Sequence, residues 1–264
     1  MSHDIKLKHE DVIITRMGKG FLGERVVYRG KDLHHQLKDY QWLELFSFGI
    51  TGREFTKNEL KLLNFIWVST SYPDKAIWPN HITALAASSR STASLALSIG
   101  MTVFEASIYG GKPMKVGIDF FIRAVKENKM GVKIETIIES EIDKHKVIFG
   151  YGRPLASIDE RVPHVINFAR QLGLGDGEHL NMALDIAQYM KNSKGLRING
   201  AAITCALGAD LGFSAEEFHL FTTPLVIAGM PPCYIEAKEN PEGSFLPVRC
   251  DRVSYTGVDK RAWD

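Results

Sequence analysis

A mainly α-helical protein with a small β-hairpin at its N-terminus is what this 264-residue sequence predicts. Three observations lead there. β-branched runs stand at the start of the chain, Asp11 to Thr15 and Glu24 to Tyr28, around the glycine-containing stretch MGKGFLG, and strand signals nearly vanish after them. From Lys31 onward apolar residues recur at helical spacing. The Ser/Thr-x-x-Glu pattern with which helices begin stands directly before the apolar runs LKLLNFIWV and FHLFTTPLVIAG.

Taken in order, Leu33, Leu37 and Tyr40, then Trp42, Leu45 and Phe46, keep the helical period. Thr56-Lys-Asn-Glu59 before LKLLNFIWV is a capping-box signature, and so is Ser214-Ala-Glu-Glu217 before FHLFTTPLVIAG. Ile82 to Ile108 is rich in Ala, Ser, Thr and Leu with few charges. Small residues let helices approach closely, so this helix or helix pair belongs deep in the core or at a subunit contact. Helices are expected at Val116–Asn128, Lys133–Lys144, Pro163–Leu172, Gly177–Lys191 and Ala201–Leu211. Two glycine-marked breaks, Tyr109-Gly-Gly-Lys-Pro113 and Phe149-Gly-Tyr-Gly-Arg-Pro154, suit a backbone that side chains would obstruct.

Composition narrows the function. Lys and Arg number 32 against 31 Asp and Glu, so no positive field drives phosphate binding and nucleic acid is not an expected partner. Cys205, Cys233 and Cys250 form no zinc spacing and no even disulfide set; they read as core residues, with no metal site implied. The adjacent His34 and His35 point to different sides of a helix and make a poor metal site. The N-terminal stretch has no apolar signal region, and no segment is apolar for the roughly 18 residues a membrane span needs. A cytoplasmic protein is expected.

The order of these features resembles the citrate synthase superfamily, in a short form most like the citryl-CoA lyase branch, which also forms the C-terminal module of ATP-citrate lyase. ERVVYRGKDLHHQL with LELFSFGITGREFTKNEL looks like the family's N-terminal stretch. IYGGKP looks like its LHGGA turn, and FGYGRPLASIDERV like the loop written GYGHRVYKTTDPRA. LRINGAAITCALGADLGFSAEEF and VRCDRVSYTGVD look like the helix and closing segment that follow. The resemblance covers nearly the whole chain and rests on co-linear order. It implies a citrate-synthase-like helical homodimer or higher homo-oligomer. Its large domain would comprise residues 1–111 and 216–264, its small mobile domain 112–215, and the active site would lie where closure excludes water.

Where the family's chemistry rests on two histidines and an aspartate, this chain has Tyr109, Arg153 and Asn199. An amide is no general base and arginine does not readily give up its proton, which argues against plain acetyl-CoA condensation. His81, in WPNHITALAASSR, falls near a family histidine that binds the oxaloacetate part. Arg161 and Arg249 match family arginines that bind substrate carboxylates, a task suited to the guanidinium fork. A further family arginine is Val226 here, so a substrate with one or two carboxylates fits better than a full tricarboxylate. Gly110, Gly111, Lys112 and Gly152, with Lys115 nearby, are candidates for holding a coenzyme A thioester, which would be a substrate and not a tightly bound cofactor.

The resemblance implies an acyl-CoA carbon-carbon lyase or synthase acting on citryl-CoA or a related thioester. His81 would be the acid/base, Tyr109 and Arg153 would bind the enolate oxygen, and Asn199 would orient. In the cleavage direction bond breaking itself makes the enolate, so loss of the aspartate matters less. Each residue also has a plainer role. Asn199 before Gly200 is a natural helix N-cap, Tyr109 a packed aromatic, and His81 a satisfier of backbone groups near a helix start. Arg153 could pair with Asp159 or Glu160, and Arg161 and Arg249 with surface acids. Two other functions stay open: cleavage of a β-keto acid or diketone without a thioester, and a non-catalytic paralogue that binds a ligand or partner.

Overall fold

A computed structural model describes residues 12–108, 110–153, 158–244, 248–259 and 261. The N-terminal element is a three-stranded antiparallel meander, β1 (Gly18–Phe21), β2 (Arg25–Tyr28) and β3 (Lys31–Asp32), with Gly18 opposite Tyr28 and Val27 opposite Asp32. It differs from the expected hairpin in its first strand. The turn closes tightly, Glu24 N–H donating to the Phe21 carbonyl at 3.0 Å with Gly23 in the left-handed region, so the residues directly before it pair with β2. Val12 to Thr15 carry no regular structure despite their β-branched side chains, and Asp11 lies outside the described residues.

The helical period expected from Leu33 is also not a helix until α1 (Trp42–Thr51). Asp32 diverts the chain: its carboxylate accepts from the backbone N–H of His34 and His35 at 3.0 and 2.9 Å, an Asx arrangement that competes with a helix. Then follow α2 (Lys57–Thr70), α3 (Trp78–Ser88), α4 (Ala93–Phe104), α5 (Gly111–Lys129) and α6 (Ile134–His145). The last helices are α7 (Arg161–Gln171), α8 (Glu178–Lys194), α9 (Gly200–Asp210), α10 (Ala215–Thr222) and α11 (Met230–Glu239). Both expected capping boxes form, Thr56 N–H to Glu59 at 2.6 Å and Ser214 N–H to Glu217 at 2.9 Å, each with the reciprocal bond. The helix begun at Ser214 tightens into a 3-10 segment, Thr223–Gly229, where Pro224 cannot supply an N–H.

Two compact units result, one of residues up to Thr70 with Gly111–Thr223, the other of Ser71–Gly110 with Pro224 onward. Their membership differs from the division into 1–111 with 216–264 and 112–215. Aromatic packing explains why the early helices join the first unit: Phe55 stacks on Phe213 at 5.4 Å and Trp67 meets Phe221 at 5.5 Å. In that unit α5 buries Met114, Ile118, Phe121 and Val125 at helical spacing, and each fully buried Phe or Ile contributes about 2 kcal/mol. Gly117 lets α5 approach Cys205 of α9; burial pushes the Cys205 thiol up, so it stays a neutral core group.

The second unit is the pair α3 and α4 with α11. Ala84 and Ala87 pack on Cys233 and Ala237, and Met230 packs with Phe104 and Val226. Small residues thus set the helix spacing here, as expected of Ile82 to Ile108. Cys205 and Cys233 are core residues, but Cys250 is exposed, because the short 3-10 turn Cys250–Arg252 buries no side chain.

Candidate active site

In the first unit the second glycine break is pinned against the start of α9. Tyr151 bridges Ile198 in antiparallel fashion, Gly152 N–H donates to the Arg197 carbonyl at 2.7 Å, and Asn199 N–H donates to the Gly150 carbonyl at 2.9 Å. Gly150 has φ +91°, and a Cβ there would stand 2.5 Å from the Cβ of Ala202, so only glycine fits. Tyr151 is buried, donates its hydroxyl to the Ala183 carbonyl at 2.8 Å, and is kept neutral by burial.

Asn199 takes the cap role. Its Oδ1 accepts from Ala201 N–H at 2.9 Å, while its Nδ2 donates back to the Gly152 carbonyl at 2.9 Å. One amide therefore starts α9 and fastens the glycine loop to it.

Beside the cap lies a carboxylate whose importance the sequence did not disclose. The Asp159 side chain is wholly buried and accepts from Arg161 Nε at 2.8 Å, Arg161 Nη2 at 2.6 Å, Arg161 N–H at 3.1 Å and Gly200 N–H at 2.8 Å. Burial alone raises the Asp159 carboxyl. The Arg161 guanidinium, the Gly200 N–H and the Arg161 charge outweigh it and bring it down to about 2. Arg161 is 23% exposed, so its plane is fixed by a partner in the interior while its edge reaches solvent. The Asp-x-Arg spacing was the available signal, but many such pairs lie on surfaces.

Arg153, 22% exposed, takes Glu160 at 3.3 Å and the Ile158 carbonyl at 3.5 Å, settling the two carboxylates between the two arginines. Glu160 is held below its usual range, by its own backbone N–H first and by Arg153 as well. Gly111 and Lys112 open α5; Lys112 is exposed, Lys115 pairs with Glu216, and the Gly111 carbonyl meets His219 Nδ1 at 3.3 Å.

The second unit holds the remaining candidates. His81 sits in the first turn of α3 with Nδ1 3.1 Å from the Lys75 carbonyl. Gly110 has φ +76°, and a Cβ there would be 2.1 Å from the Phe104 carbonyl oxygen, so the first glycine break also needs its glycine. Tyr109 lies outside the described residues. Arg249 is 72% exposed and bidentate to Asp251 at 3.1 and 2.6 Å. No group of three or more metal-ligating side chains occurs among the described residues.

No protein-family model and no curated protein match the sequence. Solved structures do. Citryl-CoA lyase from Hydrogenobacter thermophilus superposes with a TM-score of 0.83 at 21% identity, covering 96% of this chain and 98% of that one. The chain has the citrate-synthase-type fold in its citryl-CoA lyase-like form. ATP citrate lyase from Methanothrix soehngenii, in complex with citrate and coenzyme A, matches with a TM-score of 0.75 at 19% identity, over 98% of this chain and 45% of that one. Citrate synthase from Thermoplasma acidophilum, in a ternary complex, matches at 0.66 and 18% identity over 84% of this chain and 58% of its own. The mainly helical fold expected from the residues is thus the one observed, and no helix among the described residues is long and apolar enough to cross a membrane.

Proposed function

We propose that this chain is an acyl-CoA carbon-carbon lyase or synthase that cleaves or forms the bond between a coenzyme A thioester enolate and a keto acid, as in citryl-CoA giving acetyl-CoA and oxaloacetate. The observation that carries the reading is the end-to-end likeness, over 96% of this chain and 98% of the other, to a citryl-CoA lyase. The built arginine site at Asp159 and Arg161 supports it from the chemistry of the residues.

In cleavage, His81 takes the hydroxyl proton. The oxygen electron pair forms the keto group, the carbon-carbon bond breaks, and its electrons pass to the thioester as an enolate, whose carbon takes a proton from solvent while His81 returns the hydroxyl proton to solvent. Arg153 and Tyr109 are assigned to the thioester oxygen, where a fixed cation stabilises the charge that develops. Arg161 and Arg249 take substrate carboxylates. Asn199, with both ends of its amide already bonded, acts by holding the glycine loop in place and not by abstracting a proton. Gly110, Gly111, Lys112 and Gly152 are assigned to the coenzyme A moiety.

We assign a homodimer as well. The helix α4 contains no charged residue and leaves Leu95 and Ile99 exposed, with Leu85 and Trp78 exposed on α3, an apolar surface suited to a second copy. A solution mass twice the 29.5 kDa of one chain is expected.

Calorimetric titration with coenzyme A and acetyl-CoA, with and without oxaloacetate, tests the reading. Binding strengthened by the keto acid, with citryl-CoA turnover lost in His81→Ala, is expected. No coenzyme A binding under any condition would point to thioester-free carbon-carbon cleavage or to a non-catalytic paralogue.

A further inference from the structure

The proposed chemistry asks for a basic Nε2 on His81, and the residues around it contain a device that supplies one. The Nδ1 of His81 lies 3.1 Å from the Lys75 carbonyl oxygen. A carbonyl oxygen only accepts, so Nδ1 carries the hydrogen and the lone pair of the neutral ring falls on Nε2.

The segment that presents the Lys75 carbonyl is itself tied down by the residue before His81. Asn80 is 1% exposed, and its Nδ2 donates to the Tyr72 carbonyl at 3.0 Å and the Asp74 carbonyl at 2.9 Å. Both N–H groups of one amide are therefore spent on the short segment that leads to Lys75. The same segment is closed on itself by Ala76 N–H to Asp74 Oδ1 at 2.8 Å and Ile77 N–H to the Asp74 carbonyl at 3.0 Å. The orientation of the Asn80 amide follows from its partners, because turning it over would face its oxygen against two carbonyls.

That orientation has a cost. Asn80 Oδ1 is buried without a hydrogen-bond partner, a condition uncommon for buried polar atoms. An apolar residue would avoid it, yet could not tie the segment to α3. A buried amide kept for its two donors at the expense of its acceptor, next to a histidine whose partner it positions, is the mark of a supporting group.

We propose that Asn80 is a positioning residue that fixes His81 in the Nδ1–H tautomer by anchoring, through the Tyr72 and Asp74 carbonyls, the segment that presents the Lys75 carbonyl, so that Nε2 carries the lone pair. The proposal rests on the reading of His81 as the acid/base, but its structural content can be tested without turnover.

The experiment is long-range ¹H–¹⁵N correlation NMR of the full-length labelled protein above the pH of ring protonation, with the His81 signals assigned by their loss in His81→Gln. The wild type is expected to show a pyrrole-type Nδ1 and a pyridine-type Nε2 at His81. Asn80→Asp keeps the shape but loses the donors, and a mixture of tautomers is expected. With it kcat on citryl-CoA should fall about fivefold with KM nearly unchanged, the ratio corresponding to one ordinary hydrogen bond. If Asn80→Asp does not fold, Gly229→Ala serves. Its Cβ would stand 2.8 Å from the Tyr72 carbonyl oxygen and 3.1 Å from Asn80 Oδ1, displacing the same contact from outside. A pyridine-type Nδ1 in the wild type, or an unchanged wild-type tautomer in a folded variant, overturns the proposal. A pyrrole-type Nδ1 without citryl-CoA turnover overturns the proposed reaction and leaves the role of Asn80 standing.

Discussion

Two arginine–aspartate pairs in this molecule share one local geometry and differ in everything else. Arg161 meets Asp159 at 2.8 and 2.6 Å, and Arg249 meets Asp251 at 3.1 and 2.6 Å, both bidentate and both two residues apart. The Asp159 side chain has no exposed surface and also accepts two backbone N–H groups; Asp251 is 60% exposed, and its partner Arg249 72%. Water competes for every donor in the second pair and for few in the first. Identical contacts therefore organise a site in one place and decorate a surface in the other.

The sharpest way to break this contrast is Asp159→Asn. It leaves Arg161 without its counter-charge and turns an acceptor of four N–H groups into a poorer one. A loss of about 3 kcal/mol is expected in urea unfolding. Under the proposed reaction, KM for the carboxylate substrate should rise in the fraction that still folds.

Acid comes next. The Asp159 carboxyl falls from the ordinary 3.8 to about 2 on folding, so its contribution is complete above the unfolded value and lost as pH falls from about 4 towards 2. The loss is on the order of 2 kcal/mol. Stability measured between pH 5 and pH 2 should decline more steeply for the wild type than for Asp159→Asn. Parallel curves would show that the buried carboxylate carries no such weight.

Asn199→Ala removes the cap of α9 and the tie to Gly152 together. About 1 kcal/mol is expected to be lost, visible as a lower urea midpoint with an unchanged slope. Arg249→Ala sits at the far end of the comparison. Its effect on stability should stay within about 0.5 kcal/mol, while substrate affinity falls if Arg249 binds a carboxylate as proposed. A large stability loss from Arg249→Ala would erase the distinction between the two pairs.

Much of the fold was legible from residue patterns because it rests on local rules. The capping boxes at Thr56 and Ser214 formed, and the low-charge stretch Ile82 to Ile108 became a close-packed helix pair. Legibility failed where a short-range competitor won. Asp32 captured the N–H groups of His34 and His35 and delayed the first helix, and the turn at Gly23 recruited the residues beside it and left the β-branched run before them without regular structure.

In the candidate site, both readings of Asn199 were visible in the sequence, and the structure shows the cap. That Asp159 belongs to Arg161 and Glu160 to Arg153 was not decidable from spacing, since either carboxylate reaches either cation along an extended chain.

What the sequence determined alone is therefore local: helix starts, glycine positions where no Cβ fits, and the absence of charge along α4. The tertiary structure alone decided which polar groups lose water. Asp210, at the end of α9, donates no helical signal of its own, yet its carboxylate accepts from His179 and Leu180 N–H at 2.9 and 3.0 Å and caps α8 from 30 residues away. Asn80 and Asp159 are of the same kind. Their side chains matter because folding buries them against partners distant or unforeseeable in the chain, and the strength of a hydrogen bond or charge pair depends on that burial more than on the residues that make it.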